Sequence, residues 1–355
     1  MPTVTIRTMM DRARRFARSR RFRLSIRLIG GCAVLVAVVA HVGTGPVLHG
    51  LVSVDGPTIG AAAILAAIAT AAASWRWRLV AGRLGVELRW SHAIAMYYQS
   101  QFLNMVLPGG VIGDVHRAVA HGRSAGSIGR ATRAVAIERS AGQLMQLTLT
   151  LLILGCLGAE LNGHLTVTIA IGVAVLVVTV LVVTVIAAFS ASAHVRMAVR
   201  HELAELRAGL GSVRVSAQVA VASVIVIACH AMTFAIAAAD VGASVPALQL
   251  FALTFVILLG ASIPLNIGGW GPREGIAGWA FASVGFGATS GVAASTLFGV
   301  LAIISVAPGA VVTVVFAARR RKAAEATLTS EPAALPDQPR ILVLTSRTSR
   351  QERTS

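Results

Sequence analysis

Residues 101–117 have the sequence QFLNMVLPGGVIGDVHR, in which Pro108-Gly109-Gly110 interrupts an apolar run just before a group of charged residues. Residues 263–275 have the related sequence IPLNIGGWGPREG. Each stretch places an Asn, a Pro and a Gly-Gly pair ahead of a further Gly and an acidic residue with an Arg nearby. Proline and glycine break helices, and a break at membrane depth persists only where protein or a water-filled cavity covers the freed backbone. Two such breaks at corresponding places indicate an inverted structural repeat.

The composition around these stretches is that of an integral membrane protein. The chain has 355 residues, of which 56% are hydrophobic and only 13% are charged, with a mean hydropathy of +0.78. Soluble domains carry about 25% charged residues. The apolar residues cluster in blocks of the length that spans ~30 Å of hydrocarbon. The blocks predict spanning helices at 28–46, 58–74, 134–157, 165–189, 216–238 and 290–316.

The formal net charge of +17 does not indicate a nucleic-acid binder, because the arginines lie in short segments between apolar blocks. Nine arginines and one aspartate lie within residues 7–27, and Arg319, Arg320, Arg321 and Lys322 follow the last block. This distribution favours a positive-inside orientation and contact with anionic lipid. We therefore predict a basic cytoplasmic segment at 1–27, a transmembrane domain at 28–318 and a disordered cytoplasmic tail at 319–355.

The arginine counts of the connections also predict how the two broken stretches, 91–126 and 248–288, enter the membrane. Connections without Lys or Arg are expected outside, and Arg-rich ones inside. The outer set is 44–57, 158–164 and 239–247, and the inner set is 76–89, 117–133 and 196–214. Because both flanks of 91–108 are then inside, this segment is a re-entrant hairpin or a pair of short helices. For 248–288 we favour a hairpin entering from outside over three short crossings.

Six ionisable residues lie in or beside apolar runs near the breaks: Asp114, Arg117, Glu138, Arg139, Arg273 and Glu274. A charge in the hydrocarbon region is costly, so its usual explanation is a function. Here, half-helix N-termini and Arg side chains suit a phosphate group. The alternative is that Arg117 and Arg139 reach the interface, with Asp114 and Glu138 only pairing with them.

Other residue patterns predict structural roles. The group Trp75, Trp77 and Trp90, with Tyr97 and Tyr98, is expected first to anchor the protein at the interface, although some of these rings could line a cavity. Cys32, Cys156 and Cys229 are isolated, so we expect neither a metal site nor a disulfide framework. No catalytic triad, P-loop or nucleotide-binding fingerprint is found in the sequence, and we expect no cofactor.

The motifs that run from Asn104 to Arg117, the Glu138-Arg139 pair and the residues from Ile263 to Glu274 resemble the lysylphosphatidylglycerol synthase transmembrane region, a flippase-like domain. The resemblance covers about residues 25–318. It implies a helical bundle with re-entrant helices and a lipid-accessible cavity. By the resemblance, the residues that line a headgroup path are Asn104, Asp114, Arg117, Glu138, Arg139, Asn266, Arg273 and Glu274.

The best-known members of this family move an aminoacylated phospholipid between leaflets and carry a soluble aminoacyl-transferase domain, which we expect to be missing here. The leading hypothesis is a flippase-like transporter, and not an enzyme, in a bacterial plasma membrane with both termini cytoplasmic. Its substrate would be an aminoacylated phospholipid or a polyprenyl-linked lipid. The alternative is a membrane-embedded accessory subunit or enzyme for lipid-linked aminoacyl or glycosyl transfer, working with a membrane enzyme partner. A purely structural scaffold is the third hypothesis.

Overall fold

The computed structural model describes residues 44–45, 48–49, 54–107, 110–157, 211–262 and 271–329. In the last of these ranges the side chains are described as far as residue 319. Throughout these ranges the regular structure is helical. The helices are α1 (Gly56–Arg83), α2 (Trp90–Val106), α3 (Ile112–Ser124), α4 (Ile128–Leu157), α5 (Val213–Asp240), α6 (Ala247–Ala261), α7 (Pro272–Ser283), α8 (Ala288–Ser305) and α9 (Ala307–Thr329).

Within the described residues, four helical segments are long and apolar enough to cross a membrane: α1, α4, α5 and the stretch Ala288–Arg319 formed by α8 and the start of α9. Each contains one of the spans predicted at 58–74, 134–157, 216–238 and 290–316, so these four are confirmed as long apolar helices. A helix of 28 residues, such as α1, is ~42 Å long and exceeds the hydrocarbon thickness. The span predicted at 165–189 lies outside the described residues, as does the span predicted at 28–46 except for residues 44 and 45.

The two stretches that the sequence marks as broken each form a pair of short helices. Helices α2 and α3 occupy the first stretch with 17 and 13 residues, and α6 and α7 occupy the second with 15 and 12. Helices of this size are ~18–25 Å long, shorter than a full span. The members of each pair pack against each other. Separate helices thus lie on either side of each predicted break, and the broken, re-entrant course of each stretch stays a prediction.

Glycines let the short helices approach their neighbours closely. A Cβ atom on Gly113, in the first turn of α3, would overlap the backbone carbonyl of Ser100 on α2. A Cβ atom on Gly291 of α8 would overlap the carbonyl of Ala277 on α7 in the same way. The first contact fixes the beginning of α3 against α2, where the charged residues cluster, and the second fixes α8 against α7.

The helical stretch that contains the predicted span 290–316 has a one-residue turn at Val306, between the end of α8 at Ser305 and the start of α9 at Ala307. Pro308 explains the interruption: it lacks an N–H, and its ring crowds the carbonyl four residues earlier. The chain divides after Thr313 into two compact units, and the second contains the end of α9. This helix continues to Thr329, beyond the predicted domain boundary at 318, and residues 330–355 lie outside the described ranges.

The start of α1 is capped by Asp55, whose carboxylate accepts the backbone N–H of Thr58 at 2.8 Å. Hydrogen bonds from Thr58 hold the pKa of the Asp55 carboxyl below its ordinary value, because they favour the charged form. The Thr58 hydroxyl also donates to Asp240, the last residue of α5. This contact ties α1 to α5 at one end of the bundle.

Candidate functional site

Five of the eight predicted site residues come together where α2, α3 and α4 meet. They are Asn104 on α2, Asp114 and Arg117 on α3, and Glu138 and Arg139 on α4. Helices α2 and α3 pack together, as do α3 and α4. We call these five side chains, with Arg76 of α1, the α1–α4 charge cluster.

Asp114 is held by four donors from three helices. Its Oδ1 atom accepts hydrogen bonds from the Ser100 hydroxyl and from Arg117 Nη2, both at 3.0 Å. Its Oδ2 atom accepts one from Asn104 Nδ2 at 3.0 Å and forms an ion pair with Arg139 Nη2 at 2.6 Å. Both oxygens of this carboxylate are therefore engaged by donors of the chain itself.

The same side chains shape the beginning of α3. The side-chain oxygen of Asn104 accepts the backbone N–H of Gly113 at 2.7 Å, which satisfies one of the free N–H groups in the first turn. Asp114 lies in that turn too, where the helix dipole favours a negative charge. Thus the chain's own carboxylate lies at the half-helix N-terminus that the sequence predicts for a phosphate.

Glu138 is fully buried and connects four helices. Its Oε1 atom accepts hydrogen bonds from Arg76 Nε at 2.9 Å and from the Tyr97 hydroxyl at 3.1 Å. Its Oε2 atom accepts one from Arg117 Nη2 at 3.1 Å. Arg76 also donates through Nη1 to the Ser223 hydroxyl on α5, at 2.9 Å. Glu138 therefore neutralises two arginines that are themselves buried.

Arg117 lies between two aromatic rings. Its guanidinium carbon is 4.4 Å from the centroid of the Trp77 ring and 4.3 Å from that of the Tyr97 ring. Within the described part of the chain, no side-chain or backbone acceptor takes a hydrogen bond from its Nε or Nη1 atom. Cation–π attraction is strongest where water is excluded, so the two rings stabilise a charge that hydrogen bonds satisfy only in part.

The α1–α4 charge cluster contains one more arginine than carboxylates. Arg76, Arg117 and Arg139 face Asp114 and Glu138, which leaves a formal charge of one positive unit. Four of these side chains are at most 10% exposed, whereas 43% of the Arg139 side chain is exposed. The cluster thus combines a buried, paired interior with one arginine whose side chain is partly exposed.

Arg273 and Glu274 form a second group at the start of α7. The Arg273 Nε atom donates to Glu274 Oε1 and to the Ser295 hydroxyl on α8, both at 3.0 Å. Glu274 Oε2 accepts the backbone N–H of Gly271 at 2.6 Å, so this carboxylate caps α7. Gly271 has a φ of 118°, a conformation that favours glycine. The Arg273 guanidinium lies over the Phe298 ring at 5.1 Å.

Three residues in or beside the α1–α4 charge cluster lie in positions that differ from the first interpretation of the sequence. Arg76 was expected in the connection 76–89, but α1 continues to Arg83 and buries it. Trp77 and Tyr97 were expected first as interface anchors, and both are buried against Arg117. The signal available was the apolar run Leu79-Val80-Ala81 after the tryptophans, which extends the helix past Arg76. Ser100 and Ser223 carry no such signal.

Asn266, the eighth predicted site residue, lies outside the described residues, as do Pro108 and Gly109. Arg117, whose position at the edge of the predicted inner connection 117–133 allowed an interfacial role, is instead fully buried within α3. Asp114 and Glu138 do pair with arginines, so the pairing that the sequence offered as an alternative to function is present. The partial exposure of Arg139 fits both a site that binds a headgroup and the interfacial position that the alternative gives this residue.

The four long apolar helices of the described residues indicate an α-helical, multi-pass membrane protein. Residues 24–327 match the family described as lysylphosphatidylglycerol synthase TM region. The match covers most of the chain, and the chain therefore belongs to this family, whose description connects it with lipid handling. No curated protein matches the chain in sequence.

Proposed function

We propose that the chain is a flippase-like transporter that moves a phosphate-containing lipid between the leaflets of a bacterial plasma membrane. The lipid class is an aminoacylated phospholipid or a polyprenyl-linked lipid. The observation that carries the proposal is the α1–α4 charge cluster, which holds an excess positive charge beside the break between α2 and α3. Family membership supports a role in lipid handling.

The physical basis is recognition of phosphate by arginine. A guanidinium presents paired N–H donors that fit phosphate oxygens, and it stays charged at any physiological pH. In a low-dielectric setting this attraction is stronger than in water. The headgroup would bind at the α1–α4 charge cluster while the acyl or prenyl chains stay in the bilayer. Exposure of the cluster to each leaflet in turn would then transfer the headgroup.

The enzyme alternative requires a carboxylate that acts as a base, and Glu138 and Glu274 are the candidates. Glu138 accepts hydrogen bonds from two arginines and a tyrosine. Glu274 is bonded to Arg273 and to the backbone N–H of Gly271. In both residues the carboxylate oxygens already accept hydrogen bonds from the chain's own donors, which leaves them poorly placed to take a proton from a substrate, so these contacts count against a role as base.

The test is headgroup accessibility of fluorescent lipids in vesicles that contain the purified protein. A fluorescent aminoacylated phosphatidylglycerol and a polyprenyl phosphate are used, with vesicles holding an unrelated helical membrane protein as the control. A quencher that acts on the outer leaflet is added to the vesicles. If the protein transports lipid, the quencher should reach lipid that started in the inner leaflet only in the vesicles that contain this protein. Equal rates in the two vesicle types for both lipids would refute the proposal. A changed lipid mass after incubation would favour the enzyme alternative.

A further inference from the structure

Arg139 differs from the other arginines of the α1–α4 charge cluster in its accessibility. Its side chain is 43% exposed, whereas those of Arg76 and Arg117 are 7% and 0% exposed. Its ion-pair partner, Asp114, is 10% exposed. An anion that approaches the cluster therefore meets the Arg139 side chain before those of Arg76 and Arg117.

Asp114 keeps most of its stabilisation without Arg139. If the ion pair opens, Oδ1 still accepts hydrogen bonds from Ser100 and Arg117, and Oδ2 still accepts one from Asn104. The first turn of α3 also favours the negative charge at this position. Opening the pair thus leaves the carboxylate satisfied and the guanidinium available.

We propose that the Asp114 carboxylate occupies, in this state, the position on Arg139 that a substrate phosphate takes, and that phosphate binds by displacing it. This inference rests on the proposed function and deepens it, because it assigns different roles to the two partners of one ion pair. Arg139 is the residue that first binds the anion, and Asp114 is an internal competitor. The buried Arg76, Arg117 and Glu138 hold the competitor and α4 in place.

The two roles predict opposite effects of substitution. Asp114→Asn removes the competing charge while it keeps the size of the side chain, so phosphate should bind more tightly, by about three- to fivefold for a partly exposed ion pair. Arg139→Gln removes the binding group and should weaken binding by about tenfold or more. A pair that only stabilises the fold would lose binding in both variants.

The experiment measures binding to the purified full-length chain in detergent by isothermal titration calorimetry. The probes are dihexanoylphosphatidylglycerol, inorganic phosphate, and dihexanoylglycerol, which has the same tails without the phosphate. The wild type is compared with Asp114→Asn, Arg139→Gln and Arg130→Gln. The matched control is Arg130, an exposed arginine on the same helix as Arg139. Its Nε atom donates a hydrogen bond to the Ser127 hydroxyl.

A second measurement uses only the wild type and does not depend on the folding of a variant. The arginine reagent phenylglyoxal is applied with and without dihexanoylphosphatidylglycerol, and modified peptides are identified by mass spectrometry. Arg139 should react faster than Arg76 and Arg117, because it alone of the three is accessible. The lipid should slow its modification, and dihexanoylglycerol should not.

Tighter binding of a phosphate probe to Asp114→Asn, weaker binding to Arg139→Gln and protection of Arg139 by that probe would support the inference. Binding of inorganic phosphate as tight as that of the lipid would assign the site to the free anion. Unchanged or weaker binding to Asp114→Asn, or no protection of Arg139, would overturn the inference. If the wild type still translocates lipid in vesicles, the proposed function survives that result. If it neither binds nor translocates, both fail.

Discussion

Replacement of Glu138 by Gln should destabilise the protein more than any other single substitution in the α1–α4 charge cluster. Glu138 is fully buried and accepts hydrogen bonds from Arg76, Tyr97 and Arg117. The glutamine has the same shape but no charge, and the two arginines lose their shared counter-ion. The formal charge of the cluster then rises from one to two positive units.

Breaking a buried ion pair by neutralising one partner costs about 3–5 kcal/mol, because the other charge stays buried without compensation. Glu138 pairs with two arginines, so we expect a loss in this range or above it. The free energy of unfolding can be measured in mixed micelles by titration with sodium dodecyl sulfate and far-ultraviolet circular dichroism. A double-mutant cycle with Arg76→Gln should give a coupling of about 1–3 kcal/mol.

The matched control for this prediction is Glu87→Gln, since Glu87 is an exposed glutamate in the connection between α1 and α2. Its substitution should change the free energy of unfolding by no more than ~0.5 kcal/mol. The reasoning is refuted if Glu138→Gln costs less than ~1 kcal/mol, or no more than the control.

Three further substitutions test individual contacts in the same assay. Gly142→Ala should destabilise the protein, because a Cβ atom at this position would lie 2.7 Å from Arg76 Nη1. Adding Arg76→Lys should restore part of the lost stability. Wild-type stability of the single variant would contradict the contact. Tyr97→Phe keeps the ring over its arginine but removes a hydroxyl donor from Glu138, so we expect a loss of about 1.5–3 kcal/mol, and no loss would argue against that hydrogen bond. Glu274→Gln should cost about 3 kcal/mol, since the neighbouring buried arginine loses its counter-ion, and a neutral result would show that the pair is dispensable.

The sequence predicts the broken helices and much of the charge cluster, because both depend on local chemistry. Pro108, Gly109 and Gly110 mark the boundary between α2 and α3 before any tertiary contact is known. Asp114 and Glu138 attract attention because a charged residue within an apolar run is unusual in a membrane protein. Pro308 carries the signal for the break between α8 and α9, although the apolar run around it predicts one continuous helix.

The partners that complete the cluster could not be predicted, because they depend on packing between distant segments. Arg76 contacts Glu138 across 62 positions in the sequence and Ser223 across 147. An arginine near the end of an apolar run usually reaches the interface, and only the packing of α1 against α4 and α5 turns this one inward. Trp77 and Tyr97 are amphipathic aromatic residues, which also usually lie at the interface. Here Arg117 lies between their two rings, and this contact decides their role.

The most direct test of the account is lipid translocation in vesicles that contain the wild type, Arg139→Gln, Arg273→Gln or Arg130→Gln at equal protein density. Each variant is first shown to be folded by size-exclusion chromatography and circular dichroism. We predict that Arg139→Gln and Arg273→Gln lower the translocation rate of the fluorescent aminoacylated phosphatidylglycerol or polyprenyl phosphate by about tenfold or more, while Arg130→Gln keeps the wild-type rate. Wild-type rates in both folded site variants would contradict a headgroup path through the charged groups of α3, α4 and α7.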